Sequence, residues 1–344
     1  MFVLLFAALN LVFTWMVATE SRYLVRLLDL PLVGTYVRFV YKCMGKPIPR
    51  KTKRPMLLLK SEREFERATA QAKQLVRGHD HVLDGVLSRV HENVTLRRIS
   101  KGTKHSPLGC FLLIGPSGVG KLYLLRVVAK LLFPDGSIEV FDCAKLASND
   151  IERSLAVLVS ARPARGIVFE NIDKASSDVA GVLYGILKTG RFRAPNENEE
   201  HSLSHVVLGF TLACATEALS SLAVDGIGTA TRQEQLIDWL ASESQMQRTM
   251  LNAMTDIYLC ETPDDYVKSE VVSLLMQKEC RSHATELNSV DPAILATQVV
   301  QIDDETGFES TPQRIEKLLR KPLVAAANGK HKKLSLRIRS VTRN

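Results

Sequence analysis

The 344-residue sequence contains no Cys-x-x-Cys pair and no regular cysteine spacing. That speaks against a zinc site and against a disulfide framework. Cys43, Cys110, Cys143, Cys214, Cys260 and Cys280 are expected to be buried thiols, several of them inside apolar runs. Acidic residues are missing from residues 320–344, where eight Lys/Arg give a local charge of +8. Residues 20–60 hold ten Lys/Arg against two acids, again +8. The whole chain carries +8, so the body between these ends carries −8. A nucleic-acid groove across the folded body is therefore disfavoured. The basic ends suit an anionic membrane surface or an acidic partner.

Charge is also absent from "MFVLLFAALNLVFTWMVAT", the first 19 residues. This run reaches the length of a minimal membrane-spanning helix. No basic residue precedes it, and "VATE" is a poor cleavage site, so a signal peptide fits less well than a single-pass anchor. A buried apolar helix is the third alternative. Arg22, Arg26, Arg38, Lys42 and Lys46 follow the run, which would leave the domain on the cytosolic or matrix side. The stretch "LLDLPLVGTYVRFVYKCMG" is broken by Asp29, Pro31 and Arg38 and reads as an interfacial helix. "KPIPRKTKRP" reads as a basic linker.

Beyond the linker, residues 61–99 read as helices with a break at Arg77-Gly78. "GCFLLIG", 109–115, is a continuous apolar run, the pattern of a strand buried on both faces of a parallel sheet. A helix is expected over 121–133, strands within 137–146, 166–173 and 205–216, and helices over 150–161 and 177–192. This alternation predicts a parallel α/β sheet flanked by helices. From residue 262 the pattern turns helical, with Thr262 as expected N-cap and Pro263 at the first helical position. Helices near 291–300 and 311–326 and a short edge strand over 333–340 complete the reading.

The stretch "IGPSGVGKLYLL", 114–125, matches G-x-x-x-x-G-K from Gly115 to Lys121. In such a loop the glycines permit a tight turn whose backbone N–H groups surround phosphates. The following helix adds its positive dipole end, and the lysine reaches the β/γ-phosphates. Gly115, Pro116, Ser117, Gly118, Val119, Gly120 and Lys121 are therefore the candidate residues for holding ATP or ADP. The next position calls for a hydroxyl that ligates Mg²⁺. Here it is Leu122, which has no oxygen to offer.

With these residues in view, the chain over roughly 70–326 resembles AAA+ proteins of the Clp type, the disaggregase and unfoldase chaperones, together with their torsin relatives. "VRGHDHVLDGVLSRV" resembles the segment that contacts adenine, which makes Val76 and Gly78 candidate nucleotide contacts, with Arg77 where the family prefers an aliphatic residue. "GIVFENIDKASSDV" resembles the Walker B segment. The resemblance places Glu170 where an Asp holds the Mg²⁺ shell, and Asn171 where a glutamate polarises the attacking water. Asp173, two residues on, is an alternative base. "TLACAT" resembles sensor 1, with Thr216 for the usual Asn. "MLNAMTDIYL" resembles the arginine-finger segment with Ala253 at the Arg position, and Arg248 nearby reads as a surface charge. "FESTPQRIEKLLRKPL" resembles the sensor-2 helix with Thr311 for its Arg, and Arg314 one turn on as a partial substitute. The interval 147–166 has no aromatic residue for a substrate-gripping pore loop.

The expected organisation is a membrane anchor and interfacial segment (1–45), a basic linker (46–60), an AAA+ α/β nucleotide-binding domain (61–260) and a small helical lid with a basic tail (261–344). The expected function is a membrane-anchored protein that binds ATP/ADP but hydrolyses it weakly or not at all. It would act as a scaffold or as a partner subunit of an AAA+ paralogue or of itself. A divergent but active ATPase with chaperone-like remodelling activity is the alternative. A pure interaction module is the third reading, which the intact Gly115–Lys121 loop opposes.

Overall fold

A computed structural model describes residues 35–36, 40, 42, 57–100, 106–195, 197–214, 229–243, 246–254, 256–303 and 306–337. The anchor expected over residues 1–19, Thr216, most of the linker and the end of the basic tail lie outside the described residues. Among the described residues no helix is long and apolar enough to cross a membrane. The chain divides into two compact units, Met1–Arg54 and Pro55–Asn344, and the second holds the phosphate-loop sequence.

Two helices open that unit, α1 (Glu62–Leu75) and α2 (Asp80–Ile99). The Ser61-x-x-Glu64 spacing starts α1: the Glu64 carboxylate accepts the Lys60 and Ser61 backbone N–H groups at 2.7 and 3.0 Å. Next come β1 (Gly109–Gly115), α3 (Lys121–Leu132), β2 (Ile138–Asp142), α4 (Ser148–Ala161) and β3 (Arg165–Glu170). After a short 3₁₀ turn, Ile172–Lys174, the chain forms α5 (Ser177–Thr189). A small hairpin, β4 (Arg191–Phe192) with β5 (His201–Ser202), precedes β6 (Val206–Ala213). The unit continues with α6 (Thr229–Glu243), α7 (Arg248–Ala253) and β7 (Asp256–Leu259).

Strands β2-β3-β6-β1-β7 form one sheet in that order, with every pairing parallel. All seven residues of β1 are buried, because the strand has packed layers on both faces. Cys110, Leu112 and Ile114 point into one apolar cluster, shared with α4, α5, α6 and α7. Phe111 and Leu113 alternate into the other, shared with α1, α2 and α3. Period-two alternation across two hydrophobic layers is the physical reason the run carries no polar residue. Because all five strands run the same way, Gly115, Asp142, Glu170, Ala213 and Leu259 end along one sheet edge, where parallel α/β sheets bind ligands.

The remaining elements are α8 (Asp265–Ser282), β8 (Glu286–Val290), α9 (Pro292–Val300), α10 (Thr311–Asn328) and β9 (Lys333–Leu336). They share a third apolar cluster built on Val272, Met276, Cys280, Ile315 and Leu319. This part is not purely helical: β9 pairs in parallel with β8 in a sheet of its own. Two further expectations are corrected. The helix at 265 is capped by Asp264, whose Oδ1 accepts the Val267 N–H at 2.8 Å. A carboxylate there interacts with the helix dipole more strongly than the Thr262 hydroxyl would, and Pro263 stays outside the helix. The helix before residue 192 stops at Thr189, and Arg191-Phe192 pair as a strand instead. Of the cysteines, Cys110, Cys143, Cys260 and Cys280 are buried free thiols, and Cys214 is half-buried. Burial pushes the Cys143 and Cys260 thiols up to about 12, so they stay protonated.

Candidate functional site

A cavity of about 760 Å³ opens at the carboxyl edge of the sheet. Its floor is Ser117–Leu122, the turn after β1 with the first two residues of α3. Gly118 and Gly120 take φ of +70° and +101°, conformations that L side chains adopt at a cost. The tight turn thus depends on the two glycines that the sequence supplies there. At the edge of the sheet Glu170, Asn171, Thr211 and Ala213 face the same space. Val76 and His79, from the break between α1 and α2, close one side. Helix α8 closes the other with Val271, Leu274, Leu275, Lys278 and Arg281, a helical spacing that puts them on one face.

Lys121 is buried, 9 % exposed. Its Nζ donates to the Gly115 and Pro116 carbonyl oxygens at 2.7 and 2.6 Å. Burial lowers its proton affinity, and the Glu170 and Asp173 carboxylates partly oppose that. A phosphate entering the loop would exchange with these two carbonyls for the ammonium. The turn before α10 rests directly on the loop: the Phe308 N–H donates to the Gly118 carbonyl at 3.0 Å. The fit is tight enough that a Cβ added at Gly118 would lie 1.9 Å from the Thr306 carbonyl oxygen.

His79 ties the α1–α2 break to the same loop. It is 1 % exposed, and its Nε2 lies 2.9 Å from the Val119 carbonyl oxygen, to which it donates. Burial lowers its pKa, with Lys121 and His81 adding to the effect. The unfolded imidazole takes up a proton below about pH 6.5, while the folded one resists it. The unfolded state then binds more protons, so stability falls as pH drops below about 6.5. Melting temperatures from pH 7.5 to 5 should show this decline, and His79→Gln, which keeps a donor, should flatten it. An unchanged slope in the variant would show that other groups carry the acid sensitivity.

At the edge of the sheet, Asn171 has φ of +55° and its Nδ2 donates to Asp142 Oδ1 at 2.9 Å. Asn is among the few non-glycine residues that tolerate this region. Its amide is thereby committed to β2. Glu170 is half-buried, and burial raises its pKa against the pull of Arg126 and Lys121.

Of the residues singled out in the sequence, the cavity brings together Val76, Arg77, Ser117–Leu122, Glu170 and Asn171. Gly115 and Pro116 lie behind the loop and take part through their carbonyls. Gly78 and Arg314 are not on the cavity wall. Arg314 donates to the Gln301 carbonyl at the end of α9 and, at 3.1 Å, to Thr311 Oγ1, so its guanidinium is held away from the loop. Thr311 is fully buried at the start of α10, and Pro312 is on the cavity wall instead. Asp173 is not on the cavity wall, and its Oδ1 is buried with no hydrogen-bond partner. Arg248 pairs with Asp238 on α6, as a surface charge would, and Ala253 ends α7. Sequence reasoning missed His79, Tyr123, Arg126, Thr211 and the α8 face. The spacing 271/274/275/278 was the available signal for α8, and nothing local distinguishes Arg126 from any exposed helical arginine.

Residues 110–212, from β1 into β6, match the family described as AAA domain (dynein-related subfamily). The chain is 23% identical over 305 residues to the chaperone protein ClpB of Rhodopirellula baltica, a match covering 82% of this chain and 33% of that protein. It is 32% identical over 154 residues to ClpB of Rickettsia felis, covering 39% of this chain and 17% of that one. Among solved structures it resembles the S. cerevisiae Hsp104-ADP complex, with a TM-score of 0.66 at 17% identity, over 93% of this chain and 59% of that one. The chain spans about a third or less of the length of these ClpB relatives.

Proposed function

Because the chain carries an AAA+ domain of the Clp type, we propose that it binds ATP or ADP in the 760 Å³ cavity and hydrolyses it weakly or not at all. The apolar side of the cavity, Leu75, Val76, Leu274 and Leu275, suits a nucleobase. The N–H groups of the Ser117–Lys121 turn and the Lys121 ammonium suit its phosphates. The solved Hsp104 neighbour is an ADP complex, which supports a nucleotide in this fold.

Asn171 carries the reading of weak turnover. It faces the cavity where an attacking water would need a base, and its amide nitrogen is spent on Asp142. An amide accepts no proton, so base assistance worth about 10²–10⁴-fold is missing. Leu122 lines the same cavity without a metal-binding oxygen. Ala253 has no charge to lend a neighbouring subunit's transition state. Such a subunit serves best as a nucleotide-dependent scaffold, beside a second copy of itself or an active AAA+ partner. The uncharged run 1–19 and the two basic ends support attachment to a membrane.

Glu170 favours a second reading, a divergent active ATPase, because it is a carboxylate on the cavity wall with raised proton affinity. Phosphate release by the full chain separates the two. The first reading expects turnover below about 0.01 s⁻¹, far under the usual enzyme range of about 1–10³ s⁻¹. Turnover within that range, lost in Glu170→Gln, would overturn it in favour of the second.

A further inference from the structure

A nucleotide in a phosphate loop ordinarily arrives with Mg²⁺, ligated by the residue after the lysine and by an acid at a strand end. The donors here do not fit that ion. Leu122 has no oxygen, Asn171 is bonded to Asp142, and Glu170 is the one strand-end carboxylate on the cavity wall. Among the described residues no three His, Cys, Asp or Glu side chains converge to hold a metal.

The cavity has another source of positive charge. Arg126 lies four residues after Leu122 on α3, hence on the same face one turn along, and both line the cavity. Lys121 and Arg126 belong to the first turns of α3 and Glu170 ends β3, and all three line the phosphate-loop side of the cavity. Lys278 and Arg281 face the same space from the last two turns of α8. With Arg77 this makes five cationic side chains on the wall against two carboxylates, Glu170 and Glu309. The α8 face is thus apolar at Val271, Leu274 and Leu275, then cationic, which matches a ligand with one apolar and one polyanionic end. An arginine fork bonds a phosphate through two parallel N–H groups, a geometry a hydrated lysine lacks.

We propose that the cavity takes its nucleotide without a divalent cation, the Arg126 guanidinium supplying the charge that Mg²⁺ provides elsewhere. The proposal rests on the reading that a nucleotide binds here at all. It predicts that nucleotide affinity is indifferent to chelator and that Arg126 governs the metal-free complex.

Titration calorimetry of the full chain with ADP and with ATP, in excess Mg²⁺ and in EDTA, tests it. The dissociation constants in the two buffers should agree within about threefold, and Arg126→Ala should weaken binding in EDTA about tenfold or more. Arg126→Lys should lose less than Arg126→Ala, because charge survives while the fork does not. Arg126 is exposed, so an unchanged melting temperature of the unliganded variant will show that it folds. Wild-type affinity about tenfold or more tighter in Mg²⁺ than in EDTA would overturn the proposal alone. So would Arg126→Ala with undiminished affinity in EDTA. Absence of wild-type binding in both buffers would overturn the nucleotide reading itself.

Discussion

Lys121→Ala should abolish binding of ATP and ADP, weakening it by about a hundredfold or more. Lys121 is a buried cation at the start of α3, and charge interactions there are screened less than in water. Its ammonium already holds the Gly115 and Pro116 carbonyl oxygens at 2.7 and 2.6 Å. Removing it takes away the phosphate partner and also takes this donor from the Pro116 carbonyl, at a cost of about 1–3 kcal/mol where water cannot reach it, while the Gly115 carbonyl keeps the Cys214 N–H. The variant should therefore melt lower than wild type even without ligand. Calorimetry read beside the unliganded melting temperature separates the two effects. A folded Lys121→Ala protein with wild-type affinity would remove the phosphate loop from the binding reading.

The loop was legible because its chemistry is local. A turn that needs positive φ at two positions needs glycine there, and a strand buried on both faces must be apolar throughout. Gly118, Gly120 and "GCFLLIG" carry those demands in the sequence itself. What escaped reading depends on contacts between distant segments. Arg314 follows Thr311 at helical spacing, but its guanidinium finds the Gln301 carbonyl, which no pattern within α10 foretells. Strand β8 was not expected, since its one partner, β9, lies about forty residues on. Lys278 and Arg281 read as solvated charges until α8 is seen to face the loop. Asn171 was read as a missing base. The structure adds a reason for asparagine: a left-handed backbone and a bond to Asp142 Oδ1. Glutamate at 171 would meet the strain of that backbone and sit beside two like charges, Asp142 and Glu170. Restoring the missing carboxylate by Asn171→Glu alone therefore works against the local structure.

Gly115→Ala should be among the most damaging single substitutions in the α/β core. Gly115 ends β1, the strand between β6 and β7, with φ of +151°. An added Cβ would stand 2.0 Å from the Cys260 carbonyl oxygen, a backbone atom that cannot swing aside. The neighbouring backbone is fixed on several sides. The Cys260 N–H donates to the Ile114 carbonyl at 2.7 Å, and the Cys214 N–H to the Gly115 carbonyl at 3.1 Å. Relief would have to part β7 from β1 or tilt the loop, and either breaks bonds that also orient Lys121. Backbone strain and overpacking together put the cost at about 3–5 kcal/mol. In a unit of this size that lowers the melting temperature by about 5–15 °C or prevents folding. Gly120→Ala is the matched control. It too has positive φ, +101°, but nothing lies within 4 Å of its added Cβ. Its cost should be the backbone term alone, about 1 kcal/mol. Equal melting temperatures for the two variants would show that conformational freedom, not the approach of β7, requires glycine at 115. A much lower value for Gly115→Ala would place the constraint in the packing of Cys260 against the root of the phosphate loop.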